Sequence, residues 1–430
     1  MNKKTRYTIL ALGFLAFLIL APAIVLYVRG ITYDFTKKAF VTTGVLAIRS
    51  EPKSAEIYLD GELKRDGDGD IRFLVPKEYD VSIKKSGYQT WNKRLEILSG
   101  QVTWGSPAYN KIFLLLENPS AKTISEGVSD FYSSKTKAIY LTKSTLQVSS
   151  APDYTEITSF DLPASLDTIT AVNTFDDGFV LSGKATTTQS YYFNLKAGKF
   201  TDLGKLIETT DQLQFDQTGA LYALSSSTLF KIDPISQTKT AVLTKAKAFY
   251  FLDRNLYWVE QSGQDCLLKT GQASEQDSQT LLTLPCFEKG RLFVTFEKQI
   301  FLLADNNLYL ANSSMERLAD NVTEWNFDKN TSLLAILHSG QFDYYDSAGK
   351  SLNFVTRSGE TLSNLNIKTA IGYAFYIKNG KLWAIELDAR DHQNQYLLYP
   401  EGLIKKISLD ADAKNILLLD NDKLTTINIR

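Results

Sequence analysis

Gln299 to Asn312 reads QIFLLADNNLYLAN. An apolar strand runs into a polar turn, and a second apolar strand follows. The same grammar recurs through the later part of the chain. Its anchors are AIYLT (138–142), GFVLS (178–182), ALYAL (220–224), NLYWV (255–259), QIFLL (299–303), LLAIL (333–337), YAFYI (373–377) and NILLL (415–419). Successive anchors lie 34 to 44 residues apart, about 40 on average. Several lead through a turn into a further strand, as in STLFKID (227–233), GQFDYYD (340–346) and GKLWAIE (380–386). A period near 40 built from short strands reads as a β-propeller, one unit to a blade. The anchors are apolar on both faces, as expected of strands covered by neighbours on either side. Eight anchors predict eight blades, or seven if the first or last unit is incomplete. Two β-sandwiches or a β-solenoid are the alternatives. The chain ends on a strand, Leu424 to Ile429, so ring closure needs a strand from elsewhere. Lys111 to Leu116 (KIFLLL) is the expected partner, since pairing the two would remove exposed edges.

The fold class is therefore mainly β, with one exception at the start. Tyr7 to Val28 (YTILALGFLAFLILAPAIVLYV) carries no charge over 22 residues. As a helix it would extend roughly 33 Å, enough for a hydrocarbon core of about 30 Å. Tyr7 and Tyr27 stand at its ends, where amphipathic rings favour the interface, and Pro22 is tolerated in a membrane helix. Lys3, Lys4 and Arg6 precede it, and Arg29, Lys37 and Lys38 follow more loosely. That bias predicts a cytoplasmic N-terminus and an extracytoplasmic bulk. Ala21-Pro22-Ala23 offers a signal-peptide cleavage site as the competing reading, although the apolar run continues through Val28. No later apolar stretch approaches 18 residues. Six residues before the helix predict an anchor rather than a signalling relay.

Between helix and propeller lies a dense strand pattern: VLAIRS (45–50), EIYL (56–59) ended by Asp60-Gly61, IRFLV (71–75), YDVSIK (79–84) and KRLEIL (93–98). It predicts a compact antiparallel sandwich preceded by a partly extended spacer at 30–43. Thr43 to Pro52 follows the pattern TG-x-L-x-I-x-S-x-P. AEIYLDG (55–61) and YDVSIKKSGY (79–88) come next. Together these resemble the PEGA domain over residues 43 to about 117. The motif that names the family is replaced here by Pro52-Lys53-Ser54-Ala55, which keeps its first and last residues. The resemblance implies an immunoglobulin-like β module of surface or membrane-anchored proteins, typically extracytoplasmic, with no enzyme activity. The hairpin-per-unit grammar of the later region resembles WD40-like and quinoprotein-like propellers in general, without a repeating Gly-His/Trp-Asp signature. The expected domains are 1–29 (stub and transmembrane helix), 30–117 (spacer and PEGA-like sandwich) and 118–430 (propeller).

Little in the sequence points to catalysis. Net charge is −1 over 430 residues, which removes a general electrostatic case for nucleic-acid binding. Two His and two Cys leave no His/Cys metal centre and confine histidine chemistry to His338 or His392. Neither His is accompanied by a nucleophile elbow or a phosphate loop. Asp66, Asp68 and Asp70 alternate as calcium ligands do, but no Glu completes an EF-hand loop, and a solvated hairpin loop is the plainer reading. Asp176-Asp177-Gly178 and Asp420-Asn421-Asp422 read as hairpin turns. The five Trp, at 91, 104, 258, 325 and 383, offer sugar stacking or, more commonly, core packing. Cys266 and Cys286, twenty positions apart on neighbouring strands, either form a disulfide contributing about 3 kcal/mol or remain two buried thiols. No catalytic residue, cofactor or metal is expected. The expected function is a membrane-anchored, extracytoplasmic binding or scaffold protein of the cell envelope, with a disc face for a protein or glycan. Its expected partners are lipid through residues 7–28 and that protein or glycan, without nucleic acid. The alternative is an extracytoplasmic propeller hydrolase or lyase acting on envelope polysaccharide. It predicts acidic residues and a His gathered at the central funnel.

Overall fold

A computed structural model describes residues 3–134, 136–151, 153–155, 157–173, 175, 177–184, 188–207, 212–272, 278–328, 332–410 and 412–430. The helix α1 (Lys3–Val28) contains, among the described residues, the one segment long and apolar enough to cross a membrane, Thr5–Val28. The spacer is more ordered than its sequence implies. Ile31–Asp34 and Ala39–Thr42 pair as an antiparallel hairpin. The Asp34 carboxylate shapes its tip by accepting the N–H groups of Thr36 and Lys37 at 2.8 and 3.2 Å. The Gly30 carbonyl closes its base, accepting the Thr43 N–H and hydroxyl, each at 2.7 Å.

The small β domain has two layers. Glu62–Asp66, Glu56–Leu59, Glu78–Lys84 and Trp91–Glu96 form one sheet in that spatial order. Val102–Trp104, Gly44–Ile48 and Gly69–Leu74 form the other, and Ile112–Phe113 pairs in parallel with Ser50–Glu51 beside it. Strict alternation sends Tyr79, Val81 and Ile83 inward to meet Leu46, Ile48, Ile57 and Leu59. The segment from Arg65 to Asp70 is not the hairpin loop expected. It crosses from one sheet to the other, because Glu62–Asp66 and Gly69–Leu74 belong to different layers. Its acids serve that crossing. Asp68 accepts the Ser50 N–H and hydroxyl, each at 2.8 Å, and Asp70 meets Arg49 at 3.0 Å.

Among the described residues, eight four-stranded sheets make up the propeller, spanning 128–161, 168–202, 212–243, 246–285, 290–319, 322–357, 362–399 and 404–428 together with 121–126. We number these blades 1 to 8. All strand pairs within them are antiparallel. Every anchor in the sequence is the second strand of its blade, counted outward from the channel. Leu333 to Leu337, for example, are all buried, because adjacent blades cover both faces. The first strands face the channel and carry a recurrent irregularity. Register shifts fall between Val128 and Asp130, Ala246 and Ala248, Val322 and Glu324, and Ile404 and Lys406. The first strands of blades 8 and 1 touch, which completes the ring.

The closing strand differs from the one expected. Ala121–Glu126 pairs antiparallel with Lys423–Asn428 and supplies the outermost strand of blade 8. Lys111–Leu116 instead joins the two domains; it does not pair with the last strand as a ladder but meets the chain end through the Leu116 N–H to the Ile429 carbonyl at 2.9 Å and through packing of Leu115. Its apolar run has another cause: Ile112 and Leu114 enter the core of the small domain, while Leu115 enters that of blades 7 and 8.

Candidate functional site

Two regions gather polar groups from distant parts of the chain: the seam between the domains and the propeller channel.

The seam begins with Trp91–Glu96, whose inward positions are Trp91, Lys93 and Leu95. A lysine at a fully buried position needs partners for all three of its N–H donors. Lys93 Nζ lies 3.2 Å from Glu386 Oε2 and donates to the carbonyls of Asp388 and His392 at 2.8 and 2.6 Å. Glu386 is equally committed, accepting from Trp91 Nε1 at 2.8 Å and from Asn394 Nδ2 at 2.7 Å. Around this pair, Arg390 is held by Asp388 and donates to the carbonyls of Trp104 and Gly105. Tyr396 donates to the Thr90 carbonyl and Tyr373 to that of Phe113, both at 3.1 Å. Burial pushes both phenols above their ordinary range, so they act here as neutral donors. Charge, amide and phenol groups are thus mutually satisfied, and the small domain is clamped to blade 7.

The channel is lined by the first strands, and side chains there join blades 8, 1 and 2, blades 3 and 4, and blades 6, 7 and 8. Asp130 accepts the Ile169 N–H at 2.9 Å and the Lys406 ammonium at 2.7 Å, linking blades 8, 1 and 2. Gln212 donates to the Phe249 carbonyl at 3.3 Å. Glu324 accepts the N–H groups of Asn364 and Leu365, both at 2.6 Å, linking blades 6 and 7. Asn364 then donates to the Lys405 carbonyl at 3.0 Å in blade 8. Burial raises the Glu324 carboxyl above the ordinary glutamate value, and its two backbone donors oppose that rise.

Between blades 3 and 6 the channel opens into a cavity of 430 Å³, lined by Gln212, Gln214, Tyr250, Arg291, Phe293, Trp325, Asn326 and Phe327 among others. Phe293 stands at its centre, with ring centroids 5.1 Å from Tyr250, 6.1 Å from Trp325 and 4.8 Å from Phe327. Burial pushes the Tyr250 phenol up to about 12, which keeps it a neutral hydrogen-bonding group. The Gln212 amide oxygen is enclosed without a hydrogen-bond partner. Aromatic walls with amide and guanidinium groups between them suit a ligand with an apolar face and polar edges.

The residues singled out from sequence are dispersed. Cys266 and Cys286 are joined in a disulfide with Cα atoms 4.9 Å apart. Cys266 lies in the third strand of blade 4, but Cys286 falls one residue beyond the fourth strand, Ser278–Pro285, rather than within it. His338 pairs with the buried Asp343 at 2.8 Å at a strand end. His392 lies in the seam, its ring against Asp391 at 2.7 Å. Asp420-Asn421-Asp422 forms the expected turn, with Asp420 capping the Leu403 N–H. Asp177 belongs to a turn held by Asn173, while Asp176 lies outside the described residues. Trp91 and Trp258 are buried, Trp104 is exposed, Trp383 is half-buried beneath Lys378, and Trp325 alone lines the cavity. Among the described residues no three His, Cys, Asp or Glu side chains converge as metal ligands would. Sequence reasoning missed Lys93, Glu386 and Asn394. The only signal was a lysine at an inward strand position.

Comparison with known proteins agrees with this architecture. No curated protein sequence matches the chain. The C-terminal WD40 domain of Sif2 superposes with a TM-score of 0.52 at 10% identity, covering 73% of this chain and 99% of that one. A eukaryotic initiation factor structure gives 0.51 at 11% identity, covering 74% and 88%. The Dos1 propeller gives 0.50 at 10% identity, covering 73% and 95%. Such identities speak for the fold alone. Residues 43–108 match the family model of the PEGA domain, so the chain carries a PEGA domain, preceded by an apolar helix and followed by a propeller of WD40-like fold.

Proposed function

We propose that this chain is a non-catalytic binding protein of the cell envelope, anchored by α1 with its bulk outside the cytoplasm. In this reading the propeller holds a protein or glycan, and the PEGA domain fixes the propeller's pose relative to the bilayer. The observation that carries the reading is the aromatic channel cavity, set in a ring that is clamped to the membrane-proximal domain. Three further features support it. The basic residues Lys3, Lys4 and Arg6 at the start of α1 favour a cytoplasmic N-terminus. The Cys266–Cys286 bridge suits an oxidising compartment. His338 and His392 are each paired with an aspartate, Asp343 and Asp391, and neither lines the aromatic cavity.

The test is binding of the detergent-solubilised full chain to purified envelope fractions, with Trp325→Ala alongside. Saturable binding without turnover, weakened at least tenfold by the substitution, is expected. Cleavage of envelope polysaccharide by the wild-type chain would overturn the reading in favour of a hydrolase or lyase.

A further inference from the structure

The hairpin 31–42 follows the end of α1 directly, and its burial runs against the usual rule. Tyr33, Phe35 and Phe40 are 39%, 85% and 66% exposed, on a segment that folds with polar groups satisfied. They form one patch. Tyr33 and Phe40 are cross-strand partners, and the Tyr33 ring meets those of Phe40 and Phe35 edge-on at 5.3 and 5.2 Å. Lys37 and Lys38 stand exposed at the same tip, and among the described residues neither forms an ion pair. The one nearby acid, Asp34, is buried and engaged by backbone N–H groups. The end of α1 that leads into the hairpin is also held in place. Tyr27, in the last turn of α1, stacks on Phe73 of the PEGA domain at 4.6 Å.

We propose that this hairpin is an interfacial lipid-binding element. Tyr33, Phe35 and Phe40 enter the boundary between headgroups and acyl chains, and Lys37 and Lys38 lie against anionic headgroups. The inference rests on the reading that α1 spans the bilayer. Continuity with that span selects lipid over a second copy or another protein, because residue 31 begins where the hydrocarbon core ends. Aromatic rings prefer that depth, and lysines beside them gain from the negative surface of an anionic leaflet.

Single cysteines for nitroxide labelling at Thr36→Cys, Leu15→Cys and Ser339→Cys report the hairpin tip, the span and an exposed blade-6 turn. The native cysteines are bonded to each other and stay unlabelled. The full chain is reconstituted in vesicles of phosphatidylcholine with phosphatidylglycerol. Collision of each label with oxygen and with a water-soluble nickel complex is then measured. We expect the oxygen-to-nickel ratio at position 36 to exceed that at 339 several-fold and to fall below that at 15. Lys37→Gln/Lys38→Gln should lower it in these vesicles and leave it unchanged in phosphatidylcholine alone. A water-like ratio at 36 with a lipid-like ratio at 15 overturns this inference and leaves the anchor intact. A water-like ratio at 15 overturns the anchor itself. Shielding of position 36 from both reagents identifies a protein contact and overturns the lipid assignment.

Discussion

Lys93 occupies a strand position that alternation assigns to apolar residues, and it is 2% exposed. Its charge is tolerated because Glu386 and two carbonyls meet all of its donors. Such a pair contributes little over an apolar replacement of both residues, but breaking it from one side is costly. Lys93→Met is therefore expected to destabilise the chain by about 3–5 kcal/mol in urea unfolding, since Glu386 is left buried and charged. Adding Glu386→Gln should recover part of that loss, because no net charge then remains inside. Glu324 gives a pH signature of the opposite kind to a surface carboxylate. Its folded pKa is raised, so the folded state holds the proton more tightly than the unfolded state. Its contribution to stability is fully present below the ordinary glutamate value. It is lost as pH rises from there through the raised value. The melting temperature of Glu324→Gln should therefore fall less than that of the wild type across this window. Parallel pH profiles for the two would refute the assignment.

At the scale of elements, the second strands were legible because burial on both faces makes them continuous apolar runs. The first strands were not. Val128–Ser133 reads VSDFYS, with one edge in the channel and a bulge that breaks its alternation. Outermost strands such as Thr238–Leu243 are largely exposed and carry no period to detect. The closing strand was misplaced for a related reason. Lys111–Leu116 is apolar because it serves two cores, whereas the true closing strand, Ala121–Glu126, is exposed or half-exposed along its length. The cavity was hidden for another reason: Gln212, Tyr250, Arg291 and Trp325 lie on four separate blades, and only ring geometry brings them together. Closure can be tested directly. Thr123 and Thr425 are register partners, so Thr123→Cys/Thr425→Cys should oxidise spontaneously. By the loop-entropy estimate the gain is on the order of 6 kcal/mol at most. A raised melting temperature that returns to normal on reduction is the expected result. Failure to cross-link would place the closing strand elsewhere.

For the whole molecule, the seam decides whether the PEGA domain is a loose spacer or a mount. Loose spacers join domains through a few solvated contacts, so relative motion is their default. Here Trp91 and Glu386 meet across 295 residues of sequence, and Arg390, Tyr373, Tyr396 and Asn394 add hydrogen bonds around them. Every one of these partners except Arg390 is buried, so opening the seam would strand several polar groups at once. The domains should therefore move as one body, and the orientation of α1 should be transmitted to the propeller's disc. Nitroxides at Lys64→Cys in the PEGA domain and Ser339→Cys in blade 6, both exposed, read this by pulsed electron resonance. One narrow distance distribution is expected in the otherwise native chain. Adding Lys93→Ala and Arg390→Ala should broaden it while blade 6 keeps its own hydrogen-exchange protection. A broad distribution before those substitutions would show that the clamp does not hold in solution. The propeller would then sample many poses above the bilayer instead of one.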